Sequence, residues 1–120
     1  MSKYADVYLC PVPEANLPAY KKLATGAGRI FMKHGALKYR EYVASDLDVE
    51  DVVPFPKRVK LKPGETLVYA AVEFKSEAHR NKVMKAIFKD PELGAMMEGQ
   101  KPPFDYKRMV YGGFKILVDL

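Results

Sequence analysis

Thr66-Leu67-Val68-Tyr69-Ala70-Ala71-Val72-Glu73-Phe74 is the clearest strand in the chain, rich in β-branched and aromatic residues and preceded by the turn signal Pro63-Gly64. Alternation sets Val68, Ala70, Val72 and Phe74 on one side and Leu67, Tyr69, Ala71 and Glu73 on the other. Just beyond it, Ser76 is placed to cap a helix whose buried stripe is Val83, Met84, Ile87 and Phe88 and which Asp90-Pro91 stops. Asp90 can then cap a short further helix carrying Leu93, Met96 and Met97 and ending at Gly99. Past Pro102-Pro103, Phe114-Lys115-Ile116-Leu117-Val118 reads as the last strand.

Upstream, Leu37-Lys38-Tyr39-Arg40-Glu41-Tyr42-Val43 reads as a strand, joined to the central one by a charged, proline-punctuated connection over 46–63. Leu17, Tyr20, Leu23, Ala24, Ala27, Ile30 and Phe31 recur at helical spacing, predicting a helix over about 17–34. Asn16 is placed as its cap, Pro18 falls in its first turn, and Gly35 can end it in the left-handed conformation. The first strand is Tyr4-Ala5-Asp6-Val7-Tyr8-Leu9-Cys10, closed by Pro11-Val12-Pro13. The order β-α-β-β-α-β predicts an α+β, ferredoxin-like sandwich, with two helices on one face of a four-stranded antiparallel sheet. A chain of 120 residues makes one such domain, 1–120.

Helices on one face leave the other face free. On the first strand the aliphatic set Ala5, Val7 and Leu9 is expected under the helices, which puts Tyr4, Asp6, Tyr8 and Cys10 on the free face beside Tyr69 and Glu73. An aromatic face with embedded carboxylates needs a partner: a second copy, a nucleic acid or a small ligand. For the second strand alternation leaves two options, Lys38, Arg40 and Tyr42 or Tyr39, Glu41 and Val43 on the free face.

Composition narrows the classes. The net charge of +5 is spread evenly, ten basic against seven acidic residues in 1–60 and ten against eight in 61–120, so there is no basic lobe or tail to grip nucleic acid. The single cysteine, Cys10, excludes an intrachain disulfide and points to a reducing compartment. No stretch approaches the ~20 apolar residues of a membrane-spanning helix, and the N-terminus lacks a secretory pattern. A cytoplasmic protein without membrane association is expected.

Metal and cofactor motifs are lacking: there is no CxxC, HExxH or G-x-S-x-G. Asp46, Asp48 and Glu50 open like a calcium loop, but Asp51 stands where glycine is needed and Lys57 where a bidentate acid is needed. No metal and no cofactor are expected. Val7-Tyr8-Leu9 resembles the first-strand motif of RNA-recognition domains, and Tyr69 takes one stacking position of the third strand, but Ala71 occupies the other. Half the platform is missing, and nucleic acid is the disfavoured partner. Asp6, Glu41 and Glu73 are candidate acids or bases in a closed cavity, where burial raises a carboxylate pKa. His34, at the end of the first helix, is a candidate base whose plainer role is a helix-end interaction. A Cys10–His34 nucleophilic pair is conceivable, without a sign of thiol activation.

Four segments together resemble the bacterial YbaA-like family of small proteins. They are Tyr4-Ala5-Asp6 through Leu9-Cys10-Pro11-Val12-Pro13, Lys33-His34-Gly35-Ala36-Leu37, Ser76-Glu77-Ala78-His79-Arg80, and Pro103-Phe104-Asp105-Tyr106-Lys107-Arg108-Met109-Val110-Tyr111-Gly112-Gly113-Phe114. The resemblance implies a dimeric α/β barrel, in which two ferredoxin-like protomers bring their free sheet faces together. It carries over no catalytic residue, since the family has no established activity. The wider barrel superfamily includes cofactor-independent oxygenases, isomerases and small-ligand binders, an analogy of fold. The expectation is a homodimer holding a small organic or anionic ligand, with Asp6, Tyr8, Tyr69 and Glu73 shaping the cavity. From the last segment, Arg108 would offer a guanidinium and Tyr111 a phenol, while Gly112-Gly113 permits close backbone approach. The plainer role for Arg108 is an ion pair with Asp105. The alternatives are a cofactor-independent oxygenase or isomerase, and an RNA-binding module using the free face.

Overall fold

A computed structural model describes residues 3–99 and 101–120. The elements run β1 (Tyr4–Pro13), α1 (Leu17–Lys33), β2 (Lys38–Val43), α2 (Phe55–Arg58), β3 (Glu65–Phe74), α3 (Glu77–Lys89), α4 (Pro91–Met97) and β4 (Val110–Lys115). The four strands form one sheet in the order β2-β3-β1-β4, all neighbours antiparallel. This is the ferredoxin-like order, with α1 and α3 covering one sheet face.

Helix ends follow local chemistry closely. Ser76 Oγ accepts from the His79 N–H at 3.1 Å and Asp90 Oδ1 from the Glu92 N–H at 2.9 Å, capping α3 and α4 as their positions predict. After α1, Gly35 takes φ +104°, the left-handed conformation that ends a helix. Asn16 departs from expectation: a 3-10 turn over Glu14–Asn16 precedes α1, and the Asn16 amide reaches across to donate to the Pro103 carbonyl at 3.0 Å instead of capping. Phe88, expected in the buried stripe of α3, is exposed, while Val83 and Ile87 are buried.

β1 runs on to Pro13, beyond the expected stop at Cys10. It pairs with β3 along its whole length but with β4 only as far as Leu9, so both prolines lie where the strand has a single neighbour and a missing N–H costs little. β4 begins at Val110 and not at Phe114. Val110-Tyr111-Gly112-Gly113 has little strand character of its own, and pairing with Tyr4–Leu9 makes it one. Gly113 sits opposite Asp6, and a Cβ there would lie 2.1 Å from the Tyr4 hydroxyl, so its bare backbone makes room for that phenol.

The side of the sheet that β1 turns to the helices is the reverse of the expectation. Tyr4, Asp6, Cys10 and Val12 are buried on the helix side, with Tyr8 half-buried beside them. They stand in register with Phe74, Val72, Val68, Thr66 and Ala70 of β3. Ala5, Val7 and Leu9 lie on the free face. One core cluster joins Tyr4, Val72 and Phe74 to Ile30, Val83 and Ile87, and a second joins Cys10, Val12 and Val68 to Tyr20 and Phe104. Register also resolves β2: Tyr39, Glu41 and Val43 face the helix side, and Lys38, Arg40 and Tyr42 the free side. The free face is therefore mainly apolar, and Tyr42, Tyr69, Val110 and Phe114 on it are exposed.

Candidate functional site

Two polar clusters lie on the helix side of the sheet. The first is built on Asp6, whose side chain is fully buried. Arg80 Nη1, from the first turn of α3, donates to Asp6 Oδ1 at 2.8 Å and to the Tyr111 phenol oxygen at 2.7 Å. The Tyr111 hydroxyl donates to the same Asp6 oxygen at 2.9 Å, closing a triangle, while Asp6 Oδ2 is buried without a partner among the described residues. Burial pushes the Asp6 carboxyl above its ordinary value, and the Tyr111 hydrogen bond and the Arg80 charge hold that rise back. The Arg80 guanidinium also lies 4.8 Å from the Tyr4 ring centre, and the Tyr8 ring packs on Tyr111 at 4.8 Å. With the Asp6 carboxylate fully buried, this cluster fastens β1, β4 and α3 together, and Tyr111 is its exposed member.

The second cluster faces open space. The Glu41 carboxylate on β2 accepts hydrogen bonds from the Tyr20 hydroxyl on one oxygen and the Tyr39 hydroxyl on the other. Burial and the Glu41 charge push both phenols far above their ordinary value, so they stay protonated and act as donors. The three side chains form part of the wall of a groove of about 1000 Å³ between α1 and β2. Its walls include the apolar Leu17, Ala24, Met32, Val43 and Val68 and the cations Lys21, Arg29 and Arg40, and Glu41 is the one acidic residue among them. Gly28 shapes this wall: a Cβ there would lie 2.7 Å from the Tyr39 ring, so the bare helix backbone lets the ring sit flush against α1.

The structure divides the residues named from sequence. Asp6, Tyr8 and Tyr111 come together in the first cluster, on the helix side and not the free face. Glu41 lies in the groove, where sequence reasoning missed its phenolic partners Tyr20 and Tyr39. Tyr69 and Glu73 are on the free face, Tyr69 against Tyr42 with ring centres 5.6 Å apart. Tyr8 and Tyr69 are thus on opposite faces, and the pair of stacking rings an RNA platform needs is not formed.

His34 bonds through Nε2 to Asp90 Oδ2 at 2.6 Å, and Lys33 Nζ joins the same oxygen at 3.1 Å. His34, the Glu92 N–H and Lys33 hold the Asp90 carboxyl down to about 2. This places His34 in a helix-end clasp between α1 and α4. Arg108 is paired with Glu65, not Asp105: its two Nη atoms lie 2.5 and 2.9 Å from the Glu65 oxygens, and Nη2 also donates to the Lys60 carbonyl at 2.6 Å. That bidentate fit leaves little of the guanidinium for a ligand. Cys10 is buried in the second core cluster, away from His34, and burial with the Glu41 charge pushes its thiol up to about 11. No group of three or more metal-ligating side chains comes together among the described residues, and no helix among them is long and apolar enough to cross a membrane.

Sheet order, helix placement and groove together define a ferredoxin-like α+β domain with an open pocket along its first helix. Residues 3–106 match the family described as protein of unknown function DUF1428. The chain is 34% identical over 117 residues, 98% of each chain, to the uncharacterized protein YbaA of Escherichia coli strain K12, and matches that of Shigella flexneri equally well. It belongs to this family. Among solved structures it is similar to a dimeric ferredoxin-like protein from an uncultured marine organism, at TM-score 0.61 and 9% identity over the whole of both chains. A nipsnap family protein with unknown function from Agrobacterium tumefaciens is similar at TM-score 0.63 and 14% identity, over 96% of this chain and 88% of that one. At such identities the likeness is one of fold.

Proposed function

We propose that this protein is a cytoplasmic homodimer that binds a small organic ligand in the groove between α1 and β2. The observation that carries the reading is the groove itself, about 1000 Å³, in which apolar residues surround one carboxylate and its two phenols, with Lys21, Arg29 and Arg40 also in the wall. That volume is at the upper end of ordinary small-molecule sites, which pair apolar lining with a few polar groups that fix orientation. Glu41 keeps lone pairs beyond those its phenols use, and Lys21, Arg29 and Arg40 in the same wall disfavour a cation, so the favoured ligand has an apolar body and a neutral hydrogen-bond donor such as a hydroxyl. The dimer rests on the apolar free face and on the description of one structural relative as dimeric.

Native mass spectrometry of the purified protein, then a denaturing run on the same sample, tests both parts. A dimer carrying extra mass is expected, together with a monomer for Phe114→Glu, which puts a charge on the free face. A monomeric wild type at all concentrations would refute the assembly. For the groove, a thermal-shift screen of small phenols and alcohols is expected to give stabilisation that Val43→Asp and Glu41→Gln reduce. Equal stabilisation in both variants would place the ligand elsewhere.

A second reading, a cofactor-independent oxygenase or isomerase, is favoured by Glu41 being the one carboxylate in the groove wall. A carboxylate there is placed to take a proton from a bound substrate. Under that reading Glu41→Gln retains binding and abolishes turnover of any compound the wild type converts.

A further inference from the structure

Across the α1 ridge of Pro18, Lys21, Thr25 and Arg29, which it shares with the first groove, lies a second groove of about 880 Å³, closed by α4 and by the segment from Lys101 to Tyr106. Its wall carries four cations, Lys21, Lys22 and Arg29 from α1 and Lys101 from across the groove, and no acidic residue. None of the four is ion-paired among the described residues. Helix α1 has no carboxylate of its own to neutralise them. By contrast Lys33, at the end of the same helix, is met by Asp90 and Glu92. Uncompensated cations around a concave surface focus a positive potential into it.

The remaining wall is apolar and adaptable. Met96 and Met97 of α4 lie across from α1, and the Tyr106 hydroxyl reaches Met97 Sδ at 3.8 Å. Gly26 of α1 lets this side close up, since a Cβ there would lie 2.9 Å from Met96 Sδ. Methionine thioethers reshape readily around differing apolar groups. The groove thus joins a cationic rim to a soft apolar wall.

From this we infer that the α1–α4 groove is a binding site for an amphipathic organic anion. The anionic head, a carboxylate, sulfonate or phosphate ester, sits among Lys21, Lys22, Arg29 and Lys101, and the apolar body lies against Met96, Met97 and Tyr106. Pro18, Lys21, Thr25 and Arg29 border both grooves, but Lys22 and Lys101 line only this one, so changes at those two lysines separate it from the α1–β2 groove.

Fluorescence titration of the full chain with anilinonaphthalene sulfonate, a compact amphipathic anion, tests it. Saturable binding that weakens with salt is expected. The double variant Lys22→Glu/Lys101→Glu should weaken it by about tenfold or more, since two charges turn from attractive to repulsive. Both lysines are exposed, so the variant should retain the wild-type circular dichroism spectrum. Val43→Asp, in the other groove, should leave the titration unchanged. Unaltered affinity in the double variant would overturn the inference, as would loss of binding in Val43→Asp alone. Equal binding of a decyl trimethylammonium probe, displaceable by the sulfonate, would also overturn it, because the site would then select for apolar bulk and not for charge.

Discussion

Arg80→Ala tests whether the buried triangle on β1 is what fastens this fold. Asp6 is fully buried, and among the described residues Arg80 is its one cationic partner in contact. Removing the guanidinium leaves one donor, Tyr111, on Oδ1 and none on Oδ2. Breaking a buried ion pair from one side costs about 3–5 kcal/mol, because the remaining charge is stranded. The carboxylate has one escape, to take up a proton. From its ordinary pKa of 3.8, protonation at neutral pH costs roughly 4 kcal/mol, and this falls by about 1.4 kcal/mol for each pH unit toward acid. Protonation therefore caps the electrostatic penalty below that value, because burial already raises the Asp6 pKa in the wild type and part of the cost is present there. Loss of the guanidinium contact on Tyr4 adds about 0.5–1 kcal/mol that does not depend on pH.

The pH dependence carries a definite sign. Burial raises the folded-state pKa of Asp6, so between the ordinary and folded values the folded chain holds the extra proton. This contribution to stability is full below the ordinary value and is lost as pH rises through the folded one. Removing Arg80 raises the folded value further and extends the loss to higher pH. Urea unfolding of wild type and Arg80→Ala, at one protein concentration, should show a gap of up to about 4 kcal/mol near neutrality that narrows in acid. Adding Asp6→Asn to Arg80→Ala removes the stranded charge and should recover stability at neutral pH. A gap below about 1 kcal/mol, or one that does not change with pH, would refute the reasoning.

Gly28→Ala drives a Cβ to 2.7 Å from the Tyr39 ring, which Glu41 and the neighbouring Phe31 ring hold in place, so a net loss is expected in thermal melts. The overpacking cost of about 1–3 kcal/mol outweighs or offsets the helix-propensity gain of about 1 kcal/mol. Gly26→Ala meets the flexible end of Met96 and should be neutral or stabilising. The Cys10 thiol, buried and raised to about 11, should react with a disulfide reagent at neutral pH only as fast as the fold opens, and at once in urea. Asp90 is held down to about 2, so its contribution to stability is present above its ordinary 3.8 and is lost as pH falls through about 2. Asp90→Asn should flatten the acid limb of a stability-against-pH curve, and an unchanged slope would mean that the clasp with His34 does not form in solution.

The features legible in the sequence are those settled within a few residues: the β3 alternation, the α1 period, the Ser76 and Asp90 caps, and the left-handed Gly35. Alternation on β1 was equally legible, but not which side it turns to the helices. Hydrophobicity favours Ala5, Val7 and Leu9 inside, yet Asp6 is the residue buried, because Arg80 and Tyr111 meet its charge from positions 74 and 105 residues away. Arg108 repeats the lesson, passing over Asp105 for Glu65, 43 residues distant, where both carboxylate oxygens meet the fork of its guanidinium. In each case the partner is set by how distant segments pack together in the fold, which the local pattern does not encode.

The inverted β1 also accounts for the division of the molecule's surfaces. With its polar residues committed to the helix side, β1 gives the opposite face Ala5, Val7 and Leu9, to which β4 adds Val110 and Phe114. An apolar sheet face suits contact with another protein surface, not a water-soluble ligand. Open concave space is instead found along α1, which is rich in cations and bordered by a groove on each flank. Lys21 and Arg29 border both grooves; one adds the paired phenols and carboxylate of Glu41, the other a methionine wall with Lys22 and Lys101. On the proposed reading, assembly uses the free sheet face and ligand binding the grooves along α1, so a charge on Phe114 should disrupt the first while leaving both grooves of the monomer able to bind.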